Sequence, residues 1–158
     1  ASSLGTNSVF SRSSPIPIKM TCAPHYMRII AQSERSGEPV VKAGDRVHGR
    51  RPSSRLGGRG CMAGNGFCFL SNVGKVYGCG FLQLEAGDIR QEGFRKIYQE
   101  SPLFQTLRNY ELLDGRCGVC EYKTVCGGCR ARALGASQSF LGEEPYCTYI
   151  PALKRLVK

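Results

Sequence analysis

The chain has 158 residues, and its 22 lysines and arginines against 12 aspartates and glutamates give a formal net charge of +10. Such a charge is compatible with nucleic-acid binding, but many of the arginines crowd residues 46–59, and no basic stripe interleaved with aromatic residues follows. Nine cysteines without a recognisable secretory signal also argue against a disulfide framework.

One strand–helix unit is predicted in the first part of the chain. Residues 15–35 begin with the alternating pattern PIPIKM and continue as an amphipathic run, which is typical of a strand followed by a helix. Residues 1–14 and 36–60 are polar and rich in small residues, Arg or Pro, with few apolar side chains. We therefore expect a disordered N-terminal segment and a flexible linker on either side of the unit.

The next elements in the chain are a hairpin and two short helices. Residues 67–70 and 75–77 are predicted strands around a turn at 71–74, an arrangement that presents Cys68 and Cys79 from the two arms. Residues 94–100 and 102–110 are predicted helices, with Ser101 as the N-cap and proline at the first helical position of the second. Apolar residues at helical intervals predict a core stripe of Phe94, Ile97, Tyr98, Leu103, Phe104 and Leu107.

Eight of the nine cysteines fall into two groups, and eight thiolates are enough for two four-cysteine inorganic centres. In the run CGVCEYKTVCGGC, two CxxC pairs are separated by only EYKTV, whereas zinc ribbons separate their pairs by roughly 15 to 20 residues. A cluster that takes one thiolate per iron fits this crowding better than one small ion does. The spacing therefore favours iron–sulfur clusters, with a zinc-binding nucleic-acid interaction module as the alternative.

Five features follow one another over about residues 61–151: CMAGNGFCFLSNVGKVYGCGF, GDIR, the helical pair, CGVCEYKTVCGGCRARALG and EEPYCTYIP. Together they resemble the SPASM domain of radical S-adenosylmethionine (SAM) enzymes. The resemblance implies an α+β fold in which a β-hairpin and short helices surround two [4Fe–4S] clusters, with 152–158 as a tail. It implies two interleaved ligand sets, Cys61, Cys68, Cys79 and Cys129 for the first cluster, and Cys117, Cys120, Cys126 and Cys147 for the second. One departure is the two-residue gap before Cys129, where many members have three.

The resemblance also implies that the chain is the C-terminal part of a longer enzyme. No CxxxCxxC motif is present, so SAM and a third [4Fe–4S] cluster would belong to a missing N-terminal barrel. Residues 15–35 would then be the last strand–helix unit of that partial TIM barrel, and the chain alone should not cleave SAM. We expect the barrel domain, an electron donor and a substrate as partners in a reducing cytoplasm, and neither nucleic acid nor a membrane.

Within the family, the cluster motifs and TCAPHYMRI are most similar to the haem-biosynthesis branch, which implies electron transfer and substrate positioning in tetrapyrrole side-chain modification or decarboxylation. A peptide-modifying maturase is the alternative branch. Arginine outnumbers lysine, and Arg forks suit carboxylate-bearing substrates. Arg130 and Arg132 are the candidate substrate contacts, with pairing to Glu143 and Glu144 or capping of a helix as the alternative. The CxxH pair Cys22 and His25 is a further candidate for a ligand or substrate role, or a coincidence.

Overall fold

The computed structural model describes residues 22–37 and 59–155. The predicted disordered segment at 1–14, the strand half of the unit at 15–35 and nearly all of the 36–60 linker lie outside the described residues, as do 156–158. No helix in the two described ranges is long and apolar enough to span a membrane.

A three-stranded antiparallel sheet forms the centre of the cysteine-rich part. Its strands are β1 (Phe69–Leu70), β2 (Lys75–Cys79) and β3 (Leu82–Asp88), in the order β1-β2-β3. The predicted hairpin is present, with β1 pairing Phe69 to Tyr77, and its turn uses Gly74 at a φ of 84°. Strand β3 was not predicted from the sequence. Its first residues, Leu82, Gln83, Leu84 and Glu85, alternate between apolar and polar side chains, which is a strand signal.

Short helices cover this sheet and lead to the second cysteine group. They are α2 (Ile89–Glu92), α3 (Phe94–Glu100), α4 (Pro102–Arg108), a 3₁₀ turn (Tyr110–Leu112), α5 (Gly115–Gly118), α6 (Arg130–Ser137) and α7 (Ala152–Arg155). The predicted helical pair is therefore confirmed, although the second helix ends at Arg108. Pro102 occupies the first turn of α4 and Ser101 the N-cap position, but the Ser101 side chain makes no capping hydrogen bond.

The core lies between the sheet and the helical pair. It consists of Ala63, Val76, Leu82, Ile97, Phe104 and Leu107, and Cys61, Cys68 and Cys79 are among the partly buried residues that pack against it. The predicted helical stripe supplies three of these core residues. The prediction was wrong for Phe94, which is 47% exposed and stacks at the surface on Tyr98 with ring centroids 5.7 Å apart.

The helix predicted within residues 15–35 is α1 (His25–Arg35), and it packs on the second cysteine group. The Arg28 guanidinium lies 4.6 Å from the centre of the Tyr149 ring, and the Arg35 guanidinium lies 5.2 Å from that of Tyr122. Arg132 also donates a 2.9 Å hydrogen bond to the carbonyl of Cys22, just before the helix. Contacts of this kind give α1 a defined position beside the later cysteines.

Candidate metal centre

The structure brings the four cysteines of the second predicted set around one open cavity of about 420 Å³. The four cysteines that line this cavity are Cys117, Cys120, Cys126 and Cys147. Cys117 lies in α5, and the following turn is closed by a hydrogen bond from the Cys120 amide to the Cys117 carbonyl. Four thiols in the wall of one open cavity fit a cluster that takes one thiolate per iron.

All nine cysteines are unbonded thiols, so the structure contains no disulfide between them. Within residues 22–37 and 59–155, no three His, Cys, Asp or Glu side chains are close enough together to hold a single metal ion.

Burial favours the protonated form of two thiols of the second set, Cys126 and Cys120. It raises the pKa of Cys126 to about 11, and nearby Cys147 and Cys117 add to the rise. Burial likewise raises the pKa of Cys120, with the charges of Cys117 and Cys147 acting in the same direction. Because only thiolates ligate metal, metal binding must release these protons.

Three cysteines of the first predicted set also lie near one another. Burial raises the pKa of Cys79, and the neighbouring charges of Cys61 and Cys129 contribute to that rise. The amide of Leu82 donates a 3.3 Å hydrogen bond to Cys79 Sγ. Cys68 immediately precedes β1, opposite the end of β2 that carries Cys79, and burial raises its pKa as well.

Backbone hydrogen bonds connect the two sets directly. The Gly60 amide donates to the Val125 carbonyl at 2.9 Å, and the Cys61 amide donates to the Cys126 carbonyl at 3.0 Å. At Gly60 only a glycine fits, because an added Cβ would lie 2.3 Å from the Cys126 carbonyl oxygen. A cysteine of the first predicted set is therefore held beside a cysteine of the second.

Glu144 forms a further connection between the sets. Its side chain accepts a 2.6 Å hydrogen bond from the Cys129 amide, and its own amide donates to Cys117 Sγ at 3.4 Å. Burial alone would raise the pKa of Glu144, but hydrogen bonds from Arg132 and the Cys129 amide outweigh it and hold the pKa below its usual range. From the sequence, Glu144 was predicted only as an ion-pair partner. The spacing of residues along the chain does not show that residue 144 contacts cysteines of both sets.

Arg130 and Arg132, the candidate substrate contacts, are engaged by the protein itself. Arg130 is 4% exposed, and its Nη1 donates to the carbonyls of Phe140 and Gly142. Arg132 forms a two-pronged ion pair with Glu144, at 2.7 and 2.9 Å. Arg132 therefore pairs with a carboxylate, as the alternative prediction has it, whereas Arg130 binds backbone carbonyls in the loop that follows α6.

The CxxH pair separates in space. Cys22 is exposed with a φ of 56°, while His25 is 8% exposed and lines the 420 Å³ cavity. Burial is the main cause that lowers the pKa of His25. Only the histidine of this pair therefore borders the second set of thiols.

Residues 61–130 match the SPASM family, which is described as an iron–sulfur cluster-binding domain. The chain is 46% identical over 143 residues to an AdoMet-dependent heme synthase of Methanosarcina barkeri, with 90% of this chain and 39% of the relative covered. A heme synthase of Oleidesulfovibrio alaskensis is 42% identical over 146 residues, with 92% and 36% covered.

A mycofactocin maturase, MftC, of Mycolicibacterium smegmatis is more distant, 32% identical over 134 residues, with 73% of this chain and 34% of the relative covered. The chain thus spans less than two fifths of the length of these curated relatives. The match to the SPASM family, over residues 61–130, contains the hairpin and seven of the eight grouped cysteines. Residues 61–130 are therefore a SPASM domain, a member of a family of iron–sulfur cluster-binding domains.

Proposed function

We propose that the chain is the C-terminal part of a radical SAM oxidoreductase and binds two auxiliary [4Fe–4S] clusters. The observation that supports this most is the convergence of Cys117, Cys120, Cys126 and Cys147 on one cavity, beside a separate group that contains Cys61, Cys79 and Cys129. Bound clusters of this type supply one-electron transfer. The same eight cysteines are assigned as ligands, with Cys68 completing the first set.

The protein's own residues would hold and shield the four thiolates of the second set. Arg116 and Lys123 line the cavity, and cationic side chains favour the negative charge that thiolates bring. Both are kept in place by the fold, Arg116 through Glu143 and the Cys147 carbonyl, and Lys123 through Glu111. Arg116 and Lys123 would therefore stabilise the thiolates of the second set rather than bind a substrate.

Tetrapyrrole side-chain modification is the proposed chemistry of the whole enzyme. Its support is the similarity to proteins named AdoMet-dependent heme synthase. A peptide-modifying maturase is the second candidate, because proteins named mycofactocin maturase are also similar, at lower identity. Both candidates require a barrel domain, an electron donor and the reducing cytoplasm in which exposed thiols persist.

Anaerobic reconstitution of the chain tests the two-cluster proposal. We expect about eight irons and eight sulfides per chain, two cubanes' worth. Cys120→Ala should remove only the cluster shared with Cys117, Cys126 and Cys147, and about half of the iron. Cys22→Ala is the matched control and should retain the full load. Tight binding of two zinc ions without sulfide would instead support the zinc-binding module.

SAM cleavage tests the place of the chain in a larger enzyme. Since no CxxxCxxC motif occurs in it, the reduced, reconstituted chain should form no 5′-deoxyadenosine. Adding the barrel domain should restore cleavage, and an iron porphyrin with propionate arms should then lose side-chain carbon. Modification of a precursor peptide with no change in the porphyrin would favour the maturase.

A further inference from the structure

Two buried polar atoms without a hydrogen-bond partner are on side chains that line the 420 Å³ cavity. They are His25 Nε2 and Arg28 Nε, and only three such side-chain atoms occur among the described residues. Each of the two side chains is 8% exposed, and both line the cavity together with the four cysteines. A buried donor that lacks a partner is costly, so a native structure normally supplies one.

Both residues come from α1, which precedes the matched region at 61–130. The Arg28 guanidinium stacks over Tyr149, which holds the helix against the later part of the chain, and it also donates to Gln32 within the same helix. The other cationic residues of the wall, Arg116 and Lys123, already have carboxylate partners. Arg28 differs from these two because its Nε is buried without a hydrogen-bond partner in the structure.

We propose that His25 and Arg28 donate hydrogen bonds to sulfur atoms of the cluster held by Cys117, Cys120, Cys126 and Cys147, and thereby raise its reduction potential. This inference rests on the proposed function. Reduction adds negative charge to a cluster, and a donor aimed at its sulfurs stabilises the reduced state more than the oxidised one. No cysteine of the first set lines this cavity, so the inference concerns the second cluster alone.

The two donors differ in chemical type. His25 offers a ring nitrogen and Arg28 a guanidinium nitrogen, and both atoms are buried without a partner. Each side chain acts through the cluster and touches no substrate.

The experiment is an EPR-monitored redox titration of the reconstituted full chain. The signal of the second cluster is identified by its loss in Cys120→Ala. For His25→Phe, which fills the same space without a donor, we expect the ratio of reduced to oxidised second cluster at a fixed potential to fall about tenfold. For a one-electron couple this is a lowering of about 59 mV. His25→Gln, which retains an N–H near the Nε2 position, should stay close to wild type.

Control variants separate this role from general damage. Met27→Leu, on the same helix but outside the cavity wall, should change neither cluster, and Arg28→Lys should lower only the potential of the second. An unchanged potential in His25→Phe, or equal shifts in both clusters, would overturn the inference. Fewer than about eight irons in the wild-type chain would contradict the proposed function itself, and remove the acceptor that the inference needs.

A direct measurement covers the case in which His25→Phe does not retain its iron. With ¹⁵N-labelled histidine in the wild-type chain, pulsed EPR of the reduced second cluster should detect a weak ¹⁵N coupling. His25→Gln should abolish that coupling while keeping the cluster. A wild-type cluster without any ¹⁵N coupling would overturn the proposal.

Discussion

Glu144 provides a quantitative test of how the two cysteine sets are held together. Its carboxylate is 1% exposed and binds both Arg132 and the Cys129 amide. Glu144→Ala removes these bonds and leaves the guanidinium and the amide without their acceptor. Breaking a buried ion pair costs about 3–5 kcal/mol, but the Arg132 side chain is 27% exposed and water can replace part of the loss. We therefore expect a cost of about 2–3 kcal/mol, in the range of hydrogen bonds to charged groups.

The rate of iron loss to a chelator, measured anaerobically at fixed temperature, converts this cost into a number. If cysteine release requires the Glu144 contacts to open, about 2–3 kcal/mol corresponds to an acceleration of about 30-fold to 160-fold. Iron should leave the first set faster, because the Glu144 side chain binds the Cys129 amide, whereas the backbone contact of residue 144 with Cys117 persists in the variant. Glu144→Gln keeps an acceptor oxygen and should be affected less.

The adjacent glutamate is a matched control for this prediction. Glu143 also pairs with an arginine, Arg116, but its side chain is 41% exposed, and such pairs contribute only about 0–1 kcal/mol. Glu143→Ala should therefore accelerate iron loss by no more than about fivefold. Equal rates in Glu143→Ala and Glu144→Ala, or a wild-type rate in Glu144→Ala, would refute the linking role of Glu144.

Two further predictions concern backbone space and thiol protonation. Gly128→Ala should lower the temperature at which cluster absorbance is lost, because φ is +58° and the new Cβ would lie 3.0 Å from Glu144 Cβ. Gly135 lies in open space within α6, so Gly135→Ala should raise that temperature slightly. The opposite order of the two temperatures would contradict this prediction. After iron removal, iodoacetamide at pH 8 should label Cys126 more slowly than exposed Cys22. Since the pKa of Cys126 is about 11, its rate should rise with pH up to that value, and a pH-independent rate would disprove the assignment.

Local patterns in the sequence determined a large part of this fold. The hairpin follows from two β-prone runs around a glycine turn, and α3 ends at Glu100 as predicted, where Ser101 and Pro102 begin the next helix. These signals act between neighbours in the chain, so they can be read without knowledge of the tertiary structure. The family resemblance and the cysteine spacing likewise predict the SPASM domain, and the family match over residues 61–130 confirms it.

Contacts between distant segments decided what spacing could not show. Phe94 fits the helical stripe, yet it stays 47% exposed and stacks on Tyr98 instead of joining the core. Arg132 and Glu144 are 12 residues apart in a bidentate pair, and His25 reaches a cavity lined by cysteines about 100 residues later. Periodicity and motif spacing specify which side chains share a local face, whereas burial and charge pairing depend on which segments the folded chain brings against that face.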